Sequence, residues 1–301
     1  MPAPICVLVA TLASPARAPY LRRALTSIRA QSVPTRAIVV VNGSEADPAL
    51  VDELAKAADI TLLRQAEASL PAALARARAA VDSAAFAQLD DDDELLPEAL
   101  ALRLARLDGA DCLDAVVTNG LVRHGREERH SIADATAVAT QPLDAMMQSN
   151  WLLPGAALFR TATIGAEFFA AAPCYLEWTY VGLRLAAERR IAVLPEATVV
   201  HYEGLEFSVD RSRACLLGRP RAFAPLLQLS LPAHIRRALR RKRGAAWHAA
   251  AERLRIDGDR RAAWAAHVRS LAAPGGLRYV AYTRHLFASG VMRTASSPQA
   301  P

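Results

Sequence analysis

Residues 86–97 read Phe86-Ala87-Gln88-Leu89-Asp90-Asp91-Asp92-Asp93-Glu94-Leu95-Leu96-Pro97. A short apolar run ends in five consecutive carboxylates. Pro97 then opens a helix with Leu100, Leu104 and Leu107 on one face. Carboxylates in a row raise the cost of ionising one another, so such a run needs either full solvation or a cation. In open parallel sheets, ligands bind outside the carboxyl ends of the strands, and residues 85–89 read as such a strand. While the chain stays extended, alternate side chains share a face, which pairs Asp90 with Asp92. Two hard oxygen ligands one step apart suit Mg²⁺ or Mn²⁺. The second reading open to these residues is an acidic helix N-terminus, with Glu94 and Glu98 offsetting the dipole of the helix after Pro97.

Upstream of this stretch the chain alternates between two periods. Residues 6–11 are a short β-rich run, and residues 19–31 follow with Leu21, Ala24, Leu25 and Ile28 at helical spacing. Ala37-Ile38-Val39-Val40-Val41 is continuously apolar, as expected of a strand covered on both faces, and ends at the turn signal Asn42-Gly43-Ser44. Residues 48–58 read as helix, 60–63 as strand, 70–81 as helix and 85–89 as the fourth strand. This βαβαβαβ order implies a mostly parallel sheet with helices on both sides, an α/β fold.

Downstream, residues 114–118 and 121–124 read as a strand pair turning at Asn119-Gly120. Residues 125–139 are polar and weakly patterned and read as loop. Residues 177–190 read as helix, and 191–194 and 197–201 as two short strands split by Pro195. From about residue 212 the chain is helical and rich in alanine and arginine.

The 301 residues are 52% apolar, enough for a sizeable core and too apolar for general disorder. The four cysteines form no CxxC pair, which argues against a zinc ribbon or a disulfide scaffold and suits a reducing cytosol. No apolar run reaches the roughly 18 residues of a membrane span. Residues 5–13 are almost wholly apolar and Ala16-Arg17-Ala18 loosely mimics a cleavage site. The four residues before that run hold no basic side chain, however, so it reads as a strand and the expected location is cytoplasmic. Net charge is +6 and unevenly spread. Residues 1–200 hold 18 basic and 24 acidic side chains, and residues 201–301 hold 18 and 6, giving −6 and +12. The densest stretch is His234-Ile235-Arg236-Arg237-Ala238-Leu239-Arg240-Arg241-Lys242-Arg243. A basic amphipathic helix there is suited to peripheral contact with anionic lipid at the inner face of a membrane. Nucleic acid is not expected as a partner, because Trp247 is the only nearby aromatic available for stacking.

Residues 86–97 resemble the DxD region of family 2 glycosyltransferases, which have the GT-A fold: a buried strand, a Leu-Asp-x-Asp-Asp run and a proline four residues on. Residues 20–31 resemble that family's first helix, and 38–44 its second strand with an Asn-Gly-Ser turn. Residues 177–185, continuing through Leu194-Pro195-Glu196-Ala197 to His201-Tyr202, resemble its acceptor-side helix and the following strand. The resemblance implies a GT-A domain over residues 1–210, with a nucleotide-sugar half at 1–125 and an acceptor half at 126–210. A basic helical extension follows at 211–301.

The implied activity is transfer of a sugar from a nucleotide-diphosphate donor to an acceptor hydroxyl, usually with inversion. The acceptor would be a saccharide or a lipid-linked molecule. By the same carry-over, Mn²⁺ or Mg²⁺ would be held by Asp92 and Asp90, with His201 near the metal or diphosphate, and Asp90 or Asp91 would face the ribose. Thr11 and Asn42 occupy nucleotide-side positions. Several positions depart from the family pattern. Trp178 stands where many members have the catalytic aspartate, which leaves Glu177 as the nearest general base and puts a tryptophan on the acceptor side. Val41-Asn42 replaces an acidic pair, and Leu74-Ala75 replaces an Arg-Asn pair, with Arg76 and Arg78 as the nearest cations. An alternative is a catalytically impaired GT-A scaffold that binds a sugar, lipid or protein partner.

Overall fold

The computed structural model describes residues 4–109, 112–204 and 212–287. Three βα units and a fourth strand lead: β1 (Ile5–Thr11), α1 (Ala18–Arg29), β2 (Thr35–Asn42), α2 (Pro48–Lys56), β3 (Ile60–Gln65), α3 (Leu70–Ala79) and β4 (Ala85–Gln88). The two-residue strand β5 (Glu94–Leu95) and α4 (Ala99–Asp108) follow the acidic run, and then β6 (Ala115–His124) and β7 (Glu127–His130). Next come α5 (Ala135–Thr140), α6 (Pro142–Gln148), β8 (Ala157–Arg160), α7 (Glu167–Ala170), α8 (Glu177–Glu188) and β9 (Ile191–Tyr202). The chain closes with α9 (Arg213–Gln228), α10 (Ala233–Ile256), α11 (Arg260–Leu271), a 3-10 helix over Gly276–Tyr282 and α12 (Thr283–Phe287).

The strands form one nine-stranded mixed sheet, ordered β3-β2-β1-β4-β8-β6-β9-β5, with β7 paired to β6. β3, β2, β1 and β4 run parallel, so the ends of β1, β2 and β4 open on one edge. Strand alternation divides the interior. Ile5, Val7 and Val9 face one core with α1, α2 and α4, whereas Cys6 and Leu8 face the other with α3. The C-terminal helices join that second core. Phe223, Leu226, Ile235 and Leu239 are buried in the cluster that also holds Phe86 and Phe159 of the sheet. Residues 211–301 were expected as an appended basic extension from position 211, and residues 205–211 around that boundary lie outside the described residues.

The expected elements of the first hundred residues are all present. Three downstream readings are corrected. Asn119-Gly120 is not a turn, because β6 passes straight through it and the reversal falls at Gly125, whose φ is +59°. Gly120 is required by close approach instead: a Cβ there would lie 2.5 Å from Leu153 Cδ2 and 2.9 Å from Val199 Cγ1. Asn119 is buried and holds the following loop, accepting from the Ile132 amide at 2.8 Å and donating to the Ile132 carbonyl at 2.8 Å. Likewise, Pro195 does not split a strand. β9 is continuous, and its pairing with β6 jumps from Thr118–Leu194 to Asn119–Ala197. Pro195 and Glu196 are thus set out in a bulge where the missing amide costs no ladder bond. Residues 125–139, read as loop, contain β7 and most of α5.

The helix predicted across the arginine cluster is the first half of α10. Its apolar row is not presented outward, since Ile235 and Leu239 are fully buried. Contact with a membrane through residues 234–243 would therefore rest on the exposed arginine face and not on insertion of apolar side chains. Among the described residues, no helix is long and apolar enough to cross a membrane.

Candidate active site

β4 ends at Gln88, and the chain then turns: the Asp93 amide donates to the Asp90 carbonyl at 3.2 Å. The pairing of Asp90 with Asp92 expected from strand alternation is thus produced by a turn, which also brings in Asp93. Ligand oxygens of Asp90, Asp92 and Asp93 all lie within 4.8 Å of one another. Gln88 places the first of them, donating from Nε2 to Asp90 Oδ1 at 2.5 Å while its Oε1 accepts from the Gly155 amide at 3.1 Å. Burial and the neighbouring charges of Asp93 and Asp92 push the Asp90 carboxyl well above the ordinary carboxylate range. Crowded carboxylates of this kind either bind protons or a cation. Three hard oxygens at this separation fit Mg²⁺ or Mn²⁺.

Asp91 points elsewhere. It is 3% exposed and forms an ion pair with Arg17, from the loop between β1 and α1. Burial pushes its carboxyl up to about 6, although the Arg17 charge and the Thr11 hydroxyl draw it back. Arg17 also lies 3.6 Å from Asp92 Oδ2 and so reaches the acidic cluster. Thr11, at the end of β1, is buried, and its Oγ1 accepts from the Ala13 amide at 2.9 Å. Ala13 is fully buried at φ +49°, a backbone strain concentrated in the loop beside the cluster. Asn42, at the end of β2, uses its Oδ1 to hold the next loop, accepting from the Ser69 amide at 2.7 Å and Gln65 Nε2 at 2.8 Å.

His201, near the end of β9, meets the cluster through Asp93. Its Nδ1 lies 2.9 and 3.1 Å from the two carboxylate oxygens, and the Tyr202 amide donates to Asp93 Oδ1 at 3.1 Å. Burial alone would lower the His201 pKa, but the hydrogen bond and charge of Asp93, with Asp90 and Asp92 behind it, raise it to about 9. Asp93 is fully buried and is the link that fixes this ring. Arg23 of α1 closes the rim. It donates to the Asp92 carbonyl at 2.5 Å, lies 2.9 Å from Glu94 Oε1 and stacks 3.9 Å from the Tyr202 ring centroid.

Arg17, Arg23, Gln88, Asp93 and Tyr202 were not singled out by sequence reasoning. Position offered one signal, because Arg17 caps and Arg23 lies within the first helix after a strand whose end faces the acids. Arg78 is not available as a nucleotide-side cation. It is buried and donates to the Ile164 carbonyl at 2.6 Å and the Thr161 carbonyl at 2.5 Å, whereas Arg76 remains exposed.

At the segment expected to face the acceptor, Tyr175 adopts φ +73° just before α8, and Glu177 sits in the first turn of that helix. The Glu177 charge acts on both Cys174 and Tyr175. Trp178 is half-buried and packs against the larger core, with its indole N–H enclosed. That is a packing role, and it supplies no proton acceptor.

A parallel β3-β2-β1-β4 half-sheet with carboxylates clustered beyond β4, extended by a mixed half carrying β8, β6 and β9, defines a glycosyltransferase of the GT-A fold. The sequence profile of Glycosyl transferase family 2 matches residues 6–157, half of the chain, and the protein belongs to that family. Solved structures of S. aureus TarS share the fold. TarS 1–349 in complex with UDP-GlcNAc matches with a TM-score of 0.62 at 16% identity, covering 94% of this chain and 91% of that one. The same segment in complex with UDP gives 0.57 at 16% identity with the same coverage. Against the longer TarS structure, the chain spans 55% of the TarS length. Comparison with curated proteins gives no significant match.

Proposed function

We propose that this glycosyltransferase is metal-dependent and moves a sugar from a nucleotide-diphosphate donor to an acceptor hydroxyl with inversion. The observation that carries the reading is the convergence of Asp90, Asp92 and Asp93 beyond β4 in a family 2 domain. UDP-GlcNAc in the similar TarS structure makes a uridine nucleotide the first donor to test. Asp92 and Asp90 would hold Mn²⁺ or Mg²⁺, and Asp93 would fix His201 beside them. When bound, the ion supplies charge neutralisation for the departing diphosphate. Thr11, Asn42 and Asp91 line the nucleotide side, and Arg17 adds a cation within reach of the phosphates. Glu177 takes the acceptor proton as general base, with Trp178 shaping the acceptor side from the core. Residues 1–125 form the donor half, 126–210 the acceptor half and 211–301 a helical addition; the expected setting is the cytoplasm.

Calorimetric titration with nucleoside diphosphates tests this, with and without Mn²⁺. One nucleotide should bind only with the metal, and Asp92→Ala should abolish that binding while leaving the melting temperature near wild type. Metal-independent binding unchanged in Asp92→Ala would overturn the metal assignment. The packed Trp178 favours one second reading, an impaired scaffold. That reading expects nucleotide binding without any turnover of the sugar-nucleotide.

A further inference from the structure

A cleft of about 350 Å³ opens between α6, α8, α9 and α10, within the size range of small-molecule sites. It belongs to neither the acidic cluster nor the donor edge of the sheet. Its floor is apolar: Met146 of α6, Leu176 just before α8, and Leu216 and Phe223 of α9. Met146, Leu176 and Phe223 are 2%, 8% and 5% exposed, which makes them fixed parts of the core and not loose surface side chains. The rim carries Arg219 of α9 and Lys242 of α10, both exposed, and every other lining residue is neutral. Burial, and then the Arg219 charge, lower the Lys242 pKa, so the two cations sit close enough to repel.

Some of this protein's cations are neutralised by carboxylates and others are not. Arg213 and Arg253 share Asp257, Arg184 pairs with Glu188, and Arg22 pairs with Glu53. Among the described residues, Arg219 and Lys242 have no carboxylate partner. Arg236, Arg237, Arg240 and Arg241 on the same helix have none either. A neutral apolar ligand would fill the floor and leave the cations repelling each other. A bare anion would satisfy the cations and leave the floor wet. We propose that this cleft binds an amphipathic phosphate: a phosphate ester whose hydrocarbon chain lies on Met146, Leu176, Leu216 and Phe223 and whose headgroup is held by Arg219 and Lys242. Leu176 immediately precedes Glu177, so an occupant would lie against the segment that leads into the acceptor-side helix.

The test is calorimetry on the full chain with monomeric dodecyl phosphate, inorganic phosphate and dodecyl maltoside. Dodecyl phosphate should bind at least ten-fold more tightly than either control. The double variant Arg219→Gln/Lys242→Gln changes only exposed side chains and should keep the wild-type melting temperature. It should weaken dodecyl phosphate binding about five-fold per cation, or roughly 25-fold together. Vesicles containing phosphatidic acid identify the source. Binding to vesicles that the double variant loses marks a membrane lipid, and binding to the free ester alone marks a soluble ligand. Equal affinity for dodecyl maltoside, unchanged affinity in the double variant, or no binding of dodecyl phosphate at millimolar concentration would overturn the proposal. Nucleotide titration of the double variant should match wild type, which keeps this site separable from the donor site.

Discussion

At the scale of single residues, the site turns on which acid does what. The sequence presents Asp90, Asp91, Asp92 and Asp93 as equals, yet the fold gives them different partners. Asp91 is tied to Arg17, Asp93 to His201, and Asp90 to Gln88. Gln88 is only two positions from Asp90, but no periodicity could assign the other two, because Arg17 and His201 arrive from 74 and 108 positions away. Asp93→Asn removes the charge that holds the His201 ring while keeping the side chain's size. Groups that orient metal ligands typically contribute 10–100-fold to metal affinity, so Mn²⁺ binding should weaken by about that factor. A titration with unchanged Mn²⁺ affinity would show that Asp93 only packs. For Glu177→Gln, transfer should fall by roughly 10²–10⁴-fold with donor affinity preserved, the signature of losing a general base. Steady-state kinetics alongside nucleotide titration would separate the two effects. Full transfer by this variant would move the base to another carboxylate.

At the scale of elements, what was legible followed from local rules. The alternation from β1 to β4 was readable because each buried strand is a continuous apolar run and each helix keeps one apolar face. Besides the 125–139 stretch, whose weak pattern hid β7 and α5, the misread segments are those where a residue with strong turn character serves tertiary packing. Gly120 permits close approach of Leu153 and Val199, and Pro195 stands out in a bulge, neither of which a window of ten residues can reveal. Gly120→Ala discriminates between the two readings. In an exposed turn the change would be mild, whereas in the middle of β6 the added methyl meets Val199 Cγ1 at 2.9 Å, and Val is stiff about χ1. The expected loss is about 1–3 kcal/mol, read as a lower urea midpoint at constant slope. A midpoint within error of wild type would mean that the strand shifts to accept the methyl.

At the scale of the whole molecule, the basic C-terminal region looked like an appendage because its charge of +12 contrasts with −6 before it. Charge marks where solvent and partners meet the chain, and it does not mark where the core ends. α9 and α10 bury Phe223, Leu226, Ile235 and Leu239 in the same cluster as Phe86 and Phe159 of the sheet, so the C-terminal helices and the sheet share one interior. The consequence can be measured in Leu239→Ala, at a position fully buried on α10. Truncating a buried leucine costs about 2–5 kcal/mol. If the shared interior couples the two regions, calorimetry should show a single transition displaced to lower temperature, and Mn²⁺-dependent nucleotide binding should disappear at that same temperature. If the extension unfolded by itself, the variant would show an early transition for α9 to α12 while nucleotide binding survived to the wild-type temperature. Coupling is the expected result, because α10 packs on α9 and α6, and α9 in turn packs on α8.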